Sequence, residues 1–294
     1  MQNLRNIGLA TGVLTDDEIE YIETAIVTTM RPMLVGRTLM PIKTLANAGF
    51  KQYTHYTEND MGQATISMTG EEQSMDRVDL EEVPTKIPII SKDYNLHWRD
   101  VLMRRNTGQD LNTQHATNAA RQVAEEEDKL ILSGEYDGWP ALGIQGLLSR
   151  TGRNTTAGGD WSANMIVAVA AAKAELRTDG YFGPYKLLVT SAWFAQMEAV
   201  YGDTDRYYFQ VVGDLIGGVE NIVISDNLYV ANDGGVDSNV LIDTSPGNME
   251  LIVGQDATTY LAQLPNMNYQ GKVWEAVVPV IKRPEAICEI TGCT

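Results

Sequence analysis

A mixed α+β fold is predicted by two patterns in this 294-residue sequence: apolar residues recur at three- and four-residue spacing in some stretches and alternate in short Thr/Val/Ile-rich runs in others. A third observation sets one piece apart. Residues 58–82 carry eight acids (Glu58, Asp60, Glu71, Glu72, Asp76, Asp79, Glu81, Glu82) against the single base Arg77, with too few large apolar side chains for a core of their own. The prediction is therefore an α+β body bearing an acidic arm.

Thr15, with Glu18 three residues later, forms a capping box, and Ile19, Ile22, Ile26 and Met30 follow at helical spacing. This predicts an amphipathic helix over residues 15–35 that Pro32 kinks or ends. Gly36, Pro41 and Gly49 mark an irregular connection. Alternation at Tyr53 and His55, Thr65 and Ser67, and Val83, Thr85 and Ile87 then predicts a long two-stranded excursion. An isolated hairpin is marginal in water, so such an arm calls for a partner. Met61, Met68 and Met75, seven residues apart, give it soft apolar contacts suited to packing on a neighbour.

Residues 86–105 have the opposite character, with five bases (Lys86, Lys92, Arg99, Arg104, Arg105) against Asp93 and Asp100. Either one copy's arm lies on another copy's basic segment, or the two stretches are solvated faces of one molecule. The candidate subunit-interface residues are Glu58, Asp60, Met61, Met68, Glu71, Glu72 and Met75 on the arm, with Arg99, Arg104 and Arg105 opposite.

Residues 109–133 predict one long helix through Ala116, Ala120, Val123, Ala124, Leu130 and Ile131, about 37 Å at 1.5 Å per residue. Its acidic turn Glu125, Glu126, Glu127 and Asp128 is expected to be a solvated face rather than a metal cluster. A Gly-rich connection and a loop over residues 150–159 lead to a helix over 161–178, capped by Asp160 and stopped at Gly180. Beyond it come a strand at 185–190, a helix from Ser191, a helix at 207–216, and strands at 221–225, 240–243, 250–253, 273–281 and 286–290.

Composition narrows the function. With 22 Lys and Arg against 39 Asp and Glu, the net charge of −17 repels phosphate backbones and disfavours tight wrapping of nucleic acid, though not its passive enclosure. The longest apolar run, residues 165–172, is far short of the about 20 residues that span a bilayer, so no membrane partner is expected. The N-terminus lacks the basic start and continuous apolar stretch of a signal peptide. Cys288 and Cys293, four residues between them, fit no zinc or redox spacing and are expected to be free thiols. Of the three histidines, neither His97 nor His115 sits in a metal-binding motif, and there is no GxSxG elbow, phosphate loop or dinucleotide fingerprint. No catalytic, cofactor-binding or metal residue is therefore assigned, and no enzyme activity is expected. Trp98, Trp139, Trp161, Trp193 and Trp274, one per element, are expected to be core and interface anchors.

Several strings, in order along the chain, resemble one family. They are Leu14-Thr15 opening a helix that ends in Leu34-Val35-Gly36-Arg37; Ala124-Glu125-Glu126-Glu127-Asp128 followed by Gly143-Ile144-Gln145-Gly146-Leu147-Leu148-Ser149; Gly183-Pro184-Tyr185-Lys186-Leu187-Leu188-Val189; Leu251-Ile252-Val253-Gly254-Gln255-Asp256; and Arg283-Pro284-Glu285-Ala286. Together they resemble the encapsulin-like branch of the HK97-fold shell proteins, which includes the major capsid proteins of tailed viruses and the encapsulins.

The resemblance implies an HK97-like capsid fold: an N-terminal arm and helix (1–49), an extended β-loop overlapping a neighbouring subunit (50–92), a peripheral domain with a long spine helix (93–140 and 262–294), and an axial domain (141–261). Residues 52–85 hold no lysine, so a lysine crosslink through the loop is not expected. The extra length near residues 232–248 favours a major capsid protein, closing as pentamers and hexamers into an icosahedral virion around double-stranded DNA. It would assemble in the host cytoplasm, with portal, scaffolding or decoration proteins as further partners. The alternative is an encapsulin nanocompartment, with Ile19, Ile22 and Ile26 lining an inner groove for the tail of a cargo enzyme. A third reading, a hydrolase working through paired carboxylates, would show as a small oligomer with a deep acidic pocket.

Overall fold

The computed structural model describes residues 16–30, 34–46, 49–58, 66, 68, 79–107, 113–134, 142–228 and 238–293. The first predicted helix forms α1 (Asp16–Met30). Thr15 and Pro32, and with them the capping box and the kink, lie outside the described residues. Ile22, Ile26 and Met30 are buried where α1 packs on the long helix α3 (Gln114–Ser133). Each such side chain contributes about 1.5–3 kcal/mol through removal from water. Described as 20 residues, α3 spans about 30 Å. Its small buried face, Ala116, Ala119, Ala120, Val123 and Ala124, allows close approach to the first sheet.

That sheet has the order β1-β9-β10-β4, formed by β1 (Ile42–Thr44), β4 (Ile89–Leu96), β9 (Met249–Gln263) and β10 (Tyr269–Ile281). The strand predicted at 250–253 does not stop at Gly254-Gln255-Asp256. It runs on for fifteen residues, because register shifts opposite Trp274–Val277 absorb the apparent turn as a bulge. The boundary expected at residue 261 thus falls inside a strand.

The second sheet, β5-β11-β8-β6-β7, joins β5 (Asn154–Ala157), β6 (Tyr185–Val189), β7 (Ile222–Ile224), β8 (Asn239–Asp243) and β11 (Ile287–Thr291). One face, through Leu188, Val240, Ile242 and Ile287, continues the core beneath α3. The other packs on α4 (Trp161–Thr178), α5 (Ser191–Met197) and α6 (Tyr208–Ile216), around Trp161, Met165 and Met197. Strand β11, expected beside the long helix, instead pairs parallel with β5 and antiparallel with β8. Its alternation announced a strand without naming its neighbours. The Asp160 side chain accepts from Ser162 Oγ at 2.7 Å rather than capping a backbone N–H of α4. Cys288 and Cys293 are buried and are not joined by a disulfide.

The loop after α3 folds back on the helix end. Leu147 N–H donates to Ile131 O at 3.1 Å and Leu148 N–H to Leu132 O at 2.8 Å, satisfying carbonyls that the helix terminus leaves open. A Cβ on Gly146 would lie 2.3 Å from Gly134 N, so only glycine permits this backbone-on-backbone contact. Among the described residues no helix is long and apolar enough to cross a membrane.

Candidate assembly arm and buried charge clamp

The excursion is present as the antiparallel pair β2 (Gln52–Glu58) and β3 (Leu80–Lys86), with Gln52 opposite Lys86 and Glu58 opposite Leu80. It forms a separate two-stranded sheet. Tyr56 and Leu80 are more than half exposed, and Ile66 and Met68 are fully exposed. Tyr56 OH donates to Glu82 Oε1 at 3.1 Å, and Lys43 Nζ donates to Tyr53 OH at 2.9 Å near the arm's base.

Glu58 ends β2, and its side chain is outside the described residues, as are Asp60, Met61, Glu71, Glu72 and Met75 altogether. On the basic side, α2 (Trp98–Thr107) carries Arg99 exposed, with its guanidinium 6.0 Å from the Trp98 ring centroid, and Arg104 half-buried. The side chain of Arg105 is not among those described.

The acidic turn of α3 corrects the sequence reading. Glu127 and Asp128 are fully buried. Partners for both come from some ninety residues upstream, at Val35 and the 3-10 turn Gly36–Thr38 that follows it. Arg37 grips Glu127 with both prongs, Nε to Oε1 at 2.7 Å and Nη2 to Oε2 at 3.0 Å. It also reaches Asp256 Oδ1 at 2.7 Å on β9 and Glu275 Oε2 at 3.1 Å on β10. Asp128 accepts the backbone N–H of Gly36 at 2.9 Å and of Val35 at 3.2 Å. Gly36 must be small here, because a Cβ would meet Ile131 at 2.7 Å. One arginine thereby joins four chain segments. The Val-Gly-Arg and Glu-Glu-Asp strings were visible in the sequence, but nothing in either showed that they meet.

Burial, then the charge of the neighbouring Glu127, pushes the Glu275 carboxyl far above the usual carboxylate range, so it holds a proton at neutral pH. Burial also raises Asp128 to about 6 against the pull of its two backbone N–H donors. Desolvation lowers Arg37, but its hydrogen bonds and ion pairs with Glu127 and Asp256 outweigh this and raise it overall.

Both raised acids bind a proton more tightly folded than unfolded. Their contribution to stability is full below the unfolded values and is lost as pH rises through the folded ones. Asp128 acts between about 4 and 6, and Glu275 from about 4.5 upward through neutrality. Glu275→Gln is therefore expected to flatten the fall in melting temperature between about pH 5 and 8. Parallel wild-type and variant pH profiles would contradict this assignment.

The fold as a whole superposes on solved shell proteins. The chain superposes on the virus-like particle from Pyrococcus furiosus with a TM-score of 0.68 at 18% identity, covering 95% of this chain and 100% of that one. It superposes on the capsid of Myoviridae phage XM1 with a TM-score of 0.65 at 10% identity and 99% coverage of both. At these identities the likeness shows the HK97-like capsid fold alone. Sequence decides the branch: the profile of the family Linocin_M18, encapsulating protein for peroxidase, matches residues 11–278.

The chain belongs to this encapsulin family. It is also 29% identical over 289 residues to the type 1 encapsulin shell protein EncA of Myxococcus xanthus, covering 97% of this chain and 96% of that one. Encapsulin shell proteins of this kind are capsid-like subunits that self-assemble. The expectation of a tailed-virus capsid protein gives way here, since the sequence relatives are encapsulins and the phage likeness is one of fold. The extra length that favoured a virus is compatible with a match spanning nearly the whole of an encapsulin shell protein.

The groove lining expected of α1 also needs correction. Ile22 and Ile26 are 1% exposed and belong to the core under α3, because the helix turns its most apolar stripe inward. Ile19 is partly buried against the same core, leaving Tyr21 and Val27 as the exposed apolar residues of α1.

Proposed function

We propose that this chain is the shell subunit of an encapsulin nanocompartment, closing as a homo-oligomer around a cargo protein in the cytoplasm, without catalysis of its own. The match to an encapsulin shell protein along nearly its whole length is the observation that carries this reading. The net charge of −17 suits enclosure without nucleic-acid binding. In the assembled shell the arm, residues 50–92, overlaps a neighbour. Glu58, Asp60, Met61, Met68, Glu71, Glu72 and Met75 meet the basic face of Arg99, Arg104 and Arg105. The first sheet with α1 and α3 forms the peripheral domain, and the second sheet with α4 to α6, including β11, forms the axial domain. Tyr21 and Val27 on the outer face of α1 offer the apolar contact for a cargo segment.

The test is the content of particles purified from the native source. A single co-purifying protein, in fixed ratio to the shell and protected from protease until the particle is opened, is expected. Nuclease-protected DNA of uniform length, without such a protein, would return the reading to a viral capsid.

A further inference from the structure

At the base of the arm, where β2 and β3 meet the loop after α3 and the end of β10, lies a cavity of about 90 Å³. That is room for a few water molecules, or for one carboxylate or phosphate group. Its polar lining is cationic or donor-bearing: His55 on β2, Lys86 on β3, and Gln145 and Arg150 from the loop. His55 is only 5% exposed, yet neither Nδ1 nor Nε2 has a hydrogen-bond partner. Arg150 donates from Nη1 to Gln145 Oε1 at 2.9 Å, while its Nε–H is buried and unpaired.

Arg150 and Lys282 act on His55 as cations and Glu250 as an anion. Glu250 and Lys282 form a 2.7 Å ion pair and largely offset each other, and Glu285 acts on Arg150 as an anion, so the positive charge at the cavity is that of Arg150 and Lys86, offset in part by Glu285. Unpaired donors in a buried site each cost stability, and in a chain with so large an acid excess a cationic pocket of this kind stands out. Burial followed by the charge of Arg150 and Lys282 holds the His55 imidazole below its ordinary range, a penalty that a bound anion would offset.

We propose that this cavity is an oxyanion site at the arm's root, taking one carboxylate or phosphate group between Arg150, Lys86 and His55. The anion has two sources: free inorganic phosphate, or an acidic side chain of a second copy of the chain. In either case the group would tie β2 and β3 to the loop behind them, so occupancy would set the angle at which the arm leaves the body.

Isothermal titration calorimetry with inorganic phosphate tests this on the full chain, both as assembled and as subunits released from the assembly. Saturable binding of one phosphate per chain is expected in the released subunits. Arg150→Gln should weaken it by on the order of tenfold. Sulfate, a dianion throughout this range, should bind more tightly at pH 6 than at pH 8 in wild type, and His55→Phe should remove that pH dependence while Arg150→Gln keeps it. Binding in the assembled form as well identifies free phosphate as the occupant. Binding in released subunits alone identifies a neighbour's carboxylate, in which case phosphate should also slow reassembly. Absence of saturable binding in both forms would overturn the proposal. So would binding that neither substitution alters, the mark of an adventitious ion only. Melting curves of both variants confirm that each is folded.

Discussion

Replacing Arg37 with methionine is expected to cost the folded subunit about 3–5 kcal/mol, the penalty for leaving a buried ionic partner uncompensated. The side chains of Glu127 and Glu275 are wholly buried, and Arg37 supplies the two-pronged contact to the first and the single contact to the second. Asp256 is mostly exposed and can turn to water, so its loss adds little. The damage should be repairable: adding Glu127→Gln removes the stranded carboxylate and should recover more than half of the loss. Urea unfolding of the two variants beside wild type reads both quantities. A loss below about 1 kcal/mol for Arg37→Met would mean that the clamp is ornamental.

Shortening the arm should have the larger effect on assembly and little on the fold. Replacing residues 59–79 with Asn-Gly joins Glu58 to Leu80, the pair already opposite each other, by the two-residue turn that suits an antiparallel hairpin. The body loses little, because Ile66 and Met68 are fully exposed and Tyr56 and Leu80 are more than half exposed. What is lost is the segment that has too little apolar content to stand alone, and with it the proposed contact to a neighbour. Unchanged circular dichroism and urea midpoint, with closed particles reduced at least tenfold, is the expected result. Normal yields of closed particles would move the assembly contacts elsewhere on the subunit.

The elements that were legible in the sequence are those whose burial repeats with a single period. The face of α3 with Ala116, Ala120 and Val123, the buried strand β6 and helix α4 all carry their partners' demands in their own spacing. Strands β1 and β5, three and four residues long, are too short for any period to register. The far half of β9 was hidden for another reason. Gly254-Gln255-Asp256 reads locally as a turn, and only the long partner β10 makes it a bulge.

The arm was legible as a segment without a core, because charge and the scarcity of large apolar residues are properties of composition. The clamp was not. Four carboxyl groups in a row read as solvated, since a buried charge betrays itself only through a partner, and Arg37 lies ninety residues away. The branch of the family was decided by whole-chain similarity, which a few short strings cannot supply.

The account rests on self-assembly, and the most direct test is electron microscopy of the unmodified chain expressed alone. Closed, uniform polyhedral particles are predicted, formed without any scaffolding or portal protein. A population of small soluble oligomers, stable at concentrations where encapsulin shells close, would contradict it.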